Sequence, residues 1–172
     1  MKLRPLAIAL AASASLVGNQ AAAQDCISEA EISGLAIYAI PLVVDGVQGK
    51  CEGQLSASGF LATSGADFSA PYLLKQDEVW PAARSGFMHF AKKGDDAEGD
   101  DLLNGLPDEA LRPLFDLIIV QKVGESVAIK DCSKVERALE LIAPLPPENT
   151  GGLVAMLGSL VGKEDPKVCE SE

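Results

Sequence analysis

The chain reads as an all-α domain, an irregular bundle of five to seven short helices stapled by two disulfides. Three observations predict this. No run of alternating hydrophobic residues extends beyond a few positions, so nothing supports a sheet. Apolar residues instead recur at helical spacing in segments punctuated by Pro and Gly. Finally, Cys26, Cys51, Cys132 and Cys169 make an even set that follows a stretch resembling an export signal.

The start of the chain sets the expected address. Lys2 and Arg4 precede an apolar stretch at residues 6–17, and Ala21, Ala22 and Ala23 offer a small-residue cleavage site. Removal of residues 1–23 would leave residues 24–172 as a single helical domain of 172 − 23 = 149 residues. The apolar start is too short to span a bilayer, and no later segment reads as about 18 apolar residues. Gln24 and Asp25 do not suit a lipid-modified Cys26, so a soluble periplasmic or secreted product is expected.

The first helix is the best marked. Ser28 and Glu31 form an S-x-x-E capping box, and Ile27 and Ile32 sit where a hydrophobic staple would lie. Ile32, Leu35, Ala36, Ala39 and Val43 carry the period. Pro41 is expected to kink or end this helix near Ile40, and Asp45-Gly46 to stop it. A short helix follows around Leu55, Phe60 and Leu61. Ser69, ahead of Ala70-Pro71, reads as the next N-cap. Trp80, Ala83, Phe87 and Phe90 lie along one face of the segment it opens, with Pro81 an expected break.

Pro107 and Pro113 each suit a first helical turn, and Leu111, Leu114, Phe115 and Ile118 give a period ending at Gly124. Ser133 and Glu136 predict a second capping box, opening a helix through Ala143. Pro144, Pro146 and Pro147 make a stiff connector. Asn149 or Thr150 then caps a last helix running to about Val161.

Four cysteines allow three pairings. An internal echo favours the sequential one: Asp25-Cys26 runs into Pro41-Leu42 as Asp131-Cys132 runs into Pro144-Leu145. Cys26–Cys51 and Cys132–Cys169 are therefore expected, each closure stabilising by roughly 3–4 kcal/mol in the chain-entropy model. Scattered cysteines without Cys-x-x-Cys fit structural staples rather than redox or metal chemistry.

Charge and composition exclude several classes. Loss of Lys2 and Arg4 leaves 12 basic against 25 acidic residues, a net charge of −13. Phosphate backbones and anionic membrane surfaces require clustered Lys and Arg, so neither is an expected partner, nucleic acid included, and with no apolar segment long enough no stable membrane span is expected. An acidic surface of this kind keeps an exported protein soluble and monomeric.

His89 is the only histidine, and no G-x-S-x-G elbow accompanies it, so a half-buried or surface helical role is expected. Asp96, Glu98 and Asp100 alternate like calcium ligands, but the sixth and twelfth places from Asp96 hold Asp101 and Pro107, and the motif fails. Loose cation binding there stays a weak metal alternative. Asp108, Glu109 and Arg112 share one helical turn and are expected to pair locally.

Residues 151–162 carry no charge, and Leu153, Val154, Met156, Leu157, Leu160 and Val161 make the stretch apolar almost all round, the property of a buried core helix. A binding groove and a membrane-inserting hairpin are the alternatives. Under the groove reading, Leu153, Met156, Leu157 and Leu160 would join Trp80, Phe87 and Phe90 as the ligand-binding surface.

The stretches 24–26, 38–42, 106–113 and 143–149, which read QDC, YAIPL, LPDEALRP and APLPPEN, resemble exported helical proteins of sphingomonad-type alphaproteobacteria. That resemblance implies a bacterial-envelope address and brings no assigned activity. With no nucleophile motif, metal cluster, phosphate loop or cofactor signature, the expected role is non-enzymatic binding of a protein partner or a small apolar ligand. A hydrolase using carboxylates such as Asp108 and Glu109, or the acidic loop, and a structural envelope component are the rivals.

Overall fold

A computed structural model describes residues 26–91, 102–161 and 166–169. The described chain is all-α apart from one small ribbon, as the periodicity predicts. Its helices are α1 (Glu29–Lys50), α2 (Phe60–Leu73), α3 (Gln76–Ala91), α4 (Asp108–Ser126), α5 (Cys132–Ile142) and α6 (Pro147–Val161). A 3-10 turn (Ile129–Asp131) precedes α5, and residues 102–105 are helical. Two residues at each end, β1 (Cys26–Ile27) and β2 (Lys167–Val168), pair in parallel with Cys26 opposite Lys167. The sequence carries no signal for so short a ribbon.

The capping box forms as expected: Ser28 Oγ accepts from the Glu31 amide at 3.2 Å and Glu31 Oε2 accepts from the Ser28 amide at 2.7 Å. From there α1 runs 22 residues without a break. Pro41 neither ends nor stops it, because this part of the helix is enclosed. Pro41 and its neighbours Ile40 and Leu42 are all buried, and tertiary packing outweighs the local penalty of about 3 kcal/mol. Gly46 is no stop either. A Cβ there would sit 2.9 Å from Val123, so the glycine is where α4 crosses α1. By length and mean hydropathy (1.5), α1 could cross a membrane, yet half of its most apolar stretch is buried inside the fold, as a core helix would be.

Helices α2, α3, α4 and α6 all pack on α1. One side of α1 gives Ile37, Ile40, Val44 and Val47 to a core shared with Leu61, Phe68, Tyr72 and Leu139. The other gives Tyr38 and Leu42 to an aromatic core with Trp80, Phe87, Leu111 and Phe115. Ser69 lies inside α2 and is buried, rather than capping a new helix, and Pro81 sits inside an unbroken α3.

The second predicted capping box does not form. Asp131 occupies the N-cap of α5 without a side-chain bond, and Glu136 instead reaches α2, accepting from the Leu61 amide at 3.0 Å. Gly59, the N-cap of α2, makes room for this, since a Cβ there would meet the Glu136 carboxylate. The cap is thus supplied by a helix 75 residues away along the chain.

The cysteines pair as Cys26–Cys169 and Cys51–Cys132, which corrects the sequential expectation. The reason is α1 itself. Cys26 and Cys51 flank a 22-residue helix, about 33 Å long when uninterrupted, so they stand at opposite ends of the molecule. Disulfides of this kind suit an oxidising, extracytoplasmic compartment.

Candidate functional site

The last helix departs most from its expected place. Of α6 only Pro147, Thr150, Gly151 and Ala155 are buried, so it is not the central core helix its composition suggests. Its first half is anchored: Thr150 is 1% exposed, its Oγ1 accepts from the Tyr72 hydroxyl at 2.8 Å, and Lys75 pairs with Glu148 at 2.8 Å. Beyond Ala155 no described residue anchors it comparably. The side that is buried in the first half borders open space in the second.

That space is a cleft of about 350 Å³ lined by Ile27, Ile32, Phe90, Val154, Leu157, Gly158, Val161, Pro166 and Val168. Among the described residues every one that lines it is apolar. Four elements build it: the start of α1, the end of α3, the second half of α6, and the β1–β2 ribbon. Ile27 and Ile32, the predicted staple pair, both lie on its wall. The Cys169 amide donates to the Ile27 carbonyl at 3.0 Å, and the Cys26–Cys169 bridge clamps the ribbon beside it.

A polar cluster neighbours the cleft along the chain. Glu31 Oε1 accepts from the Ser85 hydroxyl, and His89 Nε2 lies 3.8 Å from the same oxygen. Burial alone would raise the Glu31 carboxyl, but hydrogen bonds from Ser85 and Ser28 outweigh it and hold its pKa below the usual carboxylate value. Ser85 and His89 both address Glu31, so the arrangement ties α1 to α3. His89 is half-buried, one of the placements expected of it.

The remaining candidates separate. Leu157 lines the cleft; Leu153, Met156 and Leu160 point elsewhere and are exposed. Trp80 and Phe87 do not join the α6 surface. They are core residues packed on Phe115, with ring centroids 5.8 and 4.7 Å away, and Arg112 lies 4.7 Å over the Trp80 ring. Phe90, one turn on, reaches the cleft instead. Asp108 and Arg112 pair across to α3, with Arg84 and Asp77 respectively, and not with each other. Asp96, Glu98 and Asp100 lie outside the described residues.

Among the described residues no group of three His, Cys, Asp or Glu gathers as metal ligands. A second hollow of about 410 Å³ between α1 and α2 has Asp45, Asp67 and Gln48 on its walls, with both carboxylates exposed. Deeper in the fold, burial raises the Asp116 pKa more than the bond from Tyr38 and the charge of Arg112 lower it. Sequence reading missed Ile27, Ile32, Pro166 and Val168 as site residues. The staple spacing was the available signal for the first pair. Nothing local marks the second. No family model matches the chain, and neither a curated protein nor a solved structure is significantly similar to it.

Proposed function

We propose that this chain is an exported, non-enzymatic binding protein of the bacterial envelope that holds a small apolar ligand in the cleft beside α6. One observation supports the reading: among the described residues the lining of a 350 Å³ cleft is wholly apolar, on a chain that bears 25 acidic residues. Pockets for small molecules start at about 300 Å³, so the size of this one suits a small apolar ligand. The export pattern of residues 1–23 and the two disulfides support the envelope address.

Native mass spectrometry of the mature protein, purified from its own envelope without reductant, tests this. An added mass from an apolar molecule is expected, lost in Leu157→Asp while the helical circular dichroism persists. A bare chain, together with no uptake of the fluorescent probe N-phenyl-1-naphthylamine by the purified protein, overturns the reading.

A further inference from the structure

We infer that the hollow between α1 and α2 is a second binding site, one that takes a small primary ammonium ion. The side chain that asks for a ligand is Ser69. It lines the hollow and is 7% exposed, and its Oγ has no hydrogen-bond partner among the described residues. A buried helical serine ordinarily turns its hydroxyl to the carbonyl four residues back. An unpaired buried hydroxyl is unfavourable, and a bound group that reaches it removes the penalty.

The rest of the wall sets the chemistry of that group. Asp45 of α1 and Asp67 of α2 put two carboxylates on the same hollow. Neither pairs with a base among the described residues, and no Lys, Arg or His lines the hollow. The neutral polar side chains already give hydrogens to the backbone, Gln48 Nε2 to the Leu61 carbonyl at 3.0 Å and Thr63 Oγ1 to the Gly59 carbonyl at 2.9 Å. Gly65 leaves room for the Gln48 amide, since a Cβ there would stand 3.3 Å from its nitrogen. The wall is therefore rich in acceptors and poor in donors, which suits a cation that donates hydrogen bonds. Leu61 and Leu73 give an apolar side for the body of the ion, and about 410 Å³ is in the range of small-molecule sites. A bare metal ion has no use for that apolar side, and two carboxylates fall short of the oxygen set a hard divalent cation takes.

The test is a titration of the isotope-labelled, oxidised mature protein with benzylammonium chloride, followed by amide NMR shifts. Benzyl alcohol, which lacks the charge, and benzyltrimethylammonium, which lacks the N–H donors, are the controls. Saturable shifts centred on Asp45, Gln48, Asp67 and Ser69 are expected, with both controls at least about tenfold weaker. Ser69→Ala, which removes only the buried hydroxyl, is expected to weaken benzylammonium about fivefold. Asp45→Asn/Asp67→Asn is expected to abolish the shifts, with helical circular dichroism and N-phenyl-1-naphthylamine uptake unchanged in both variants. Shifts that do not saturate, shifts centred on Leu157 and Phe90 instead, a control that binds as tightly as benzylammonium, or full affinity in Ser69→Ala overturns the inference. Calcium chloride that occupies the same residues at lower concentration overturns it as well, because charge alone then accounts for the site.

Discussion

The two ends of the molecule are stapled by chemically identical bonds in opposite settings. At one end Cys51 and Cys132 are 0% and 1% exposed, embedded in the core with Val47, Leu61 and Leu139. At the other, Cys26 and Cys169 are both partly exposed and clamp a ribbon of two residues per strand over an open cleft. The first bond joins elements that would pack anyway. The second holds a strand pair far too short to persist alone. A disulfide can therefore reinforce a core or substitute for one, and this fold does both.

Removal of the inner bond should have the largest effect. Cys51→Ala/Cys132→Ala forfeits a loop-closure contribution of about 4–5 kcal/mol and leaves a cavity in sealed core. Loss of cooperative thermal unfolding is expected, and a melting temperature within a few degrees of wild type would break the comparison. Cys26→Ser/Cys169→Ser forfeits a loop-closure contribution of about 5 kcal/mol in the same model, but leaves no cavity in sealed core, so its total loss should be the smaller. Its helices persist in circular dichroism, but the cleft loses a wall, and N-phenyl-1-naphthylamine uptake should fall about tenfold. The same asymmetry predicts the order of reduction: a dithiol should open the outer bridge first, read by thiol alkylation and peptide mapping.

A smaller effect sharpens the picture of the sealed end. Glu136→Ala removes the cap that α5 lends to α2 and should cost about 1–2 kcal/mol in urea denaturation. Ser133→Ala, at the position of the capping box that does not form, should cost little. Equal losses would mean that Glu136 acts locally after all.

The smallest effect belongs to the cleft end. Glu31 has a folded pKa below its reference of 4.5, so its stabilising contribution is complete well above that value. It fades as pH falls below about 4.5 and through the folded value. Asp116, held high by burial, has the opposite sign: its contribution is present below its reference of 3.8 and lost as pH rises through its folded value. Denaturation of Glu31→Gln should show a shallower acid limb than wild type, and Asp116→Asn a shallower loss as pH rises from 3.8. Identical profiles would discount both.

The capping box at Ser28 and Glu31 was legible because its partners lie three residues apart. Helix content was legible for the same reason. The long reach of α1 was not, since Pro41 and Gly46 read locally as breaks and only the helices packed around them reverse that meaning. The disulfide pairing failed as a direct consequence, because it depends on how far apart α1 holds Cys26 and Cys51. The cleft was half legible. Leu157 and Phe90 stood out in an uncharged helix and an aromatic face, whereas Pro166 and Val168 belong to a short segment that gains its place from a partner strand about 140 residues away. Composition also misplaced α6, since an apolar sequence is compatible with burial and with an exposed binding face alike.

The length of α1 also bears on how the bonds form. A chain that emerges N-terminus first presents Cys26 and Cys51 to an oxidant long before Cys132 and Cys169 arrive. Neighbouring thiols would then join wrongly and need thiol–disulfide exchange to recover. Once its partner helices pack on it, α1 holds those two thiols at the ends of a 22-residue helix, about 33 Å long, where they cannot stay joined to each other. The helix that carries the core also fixes which thiols can meet.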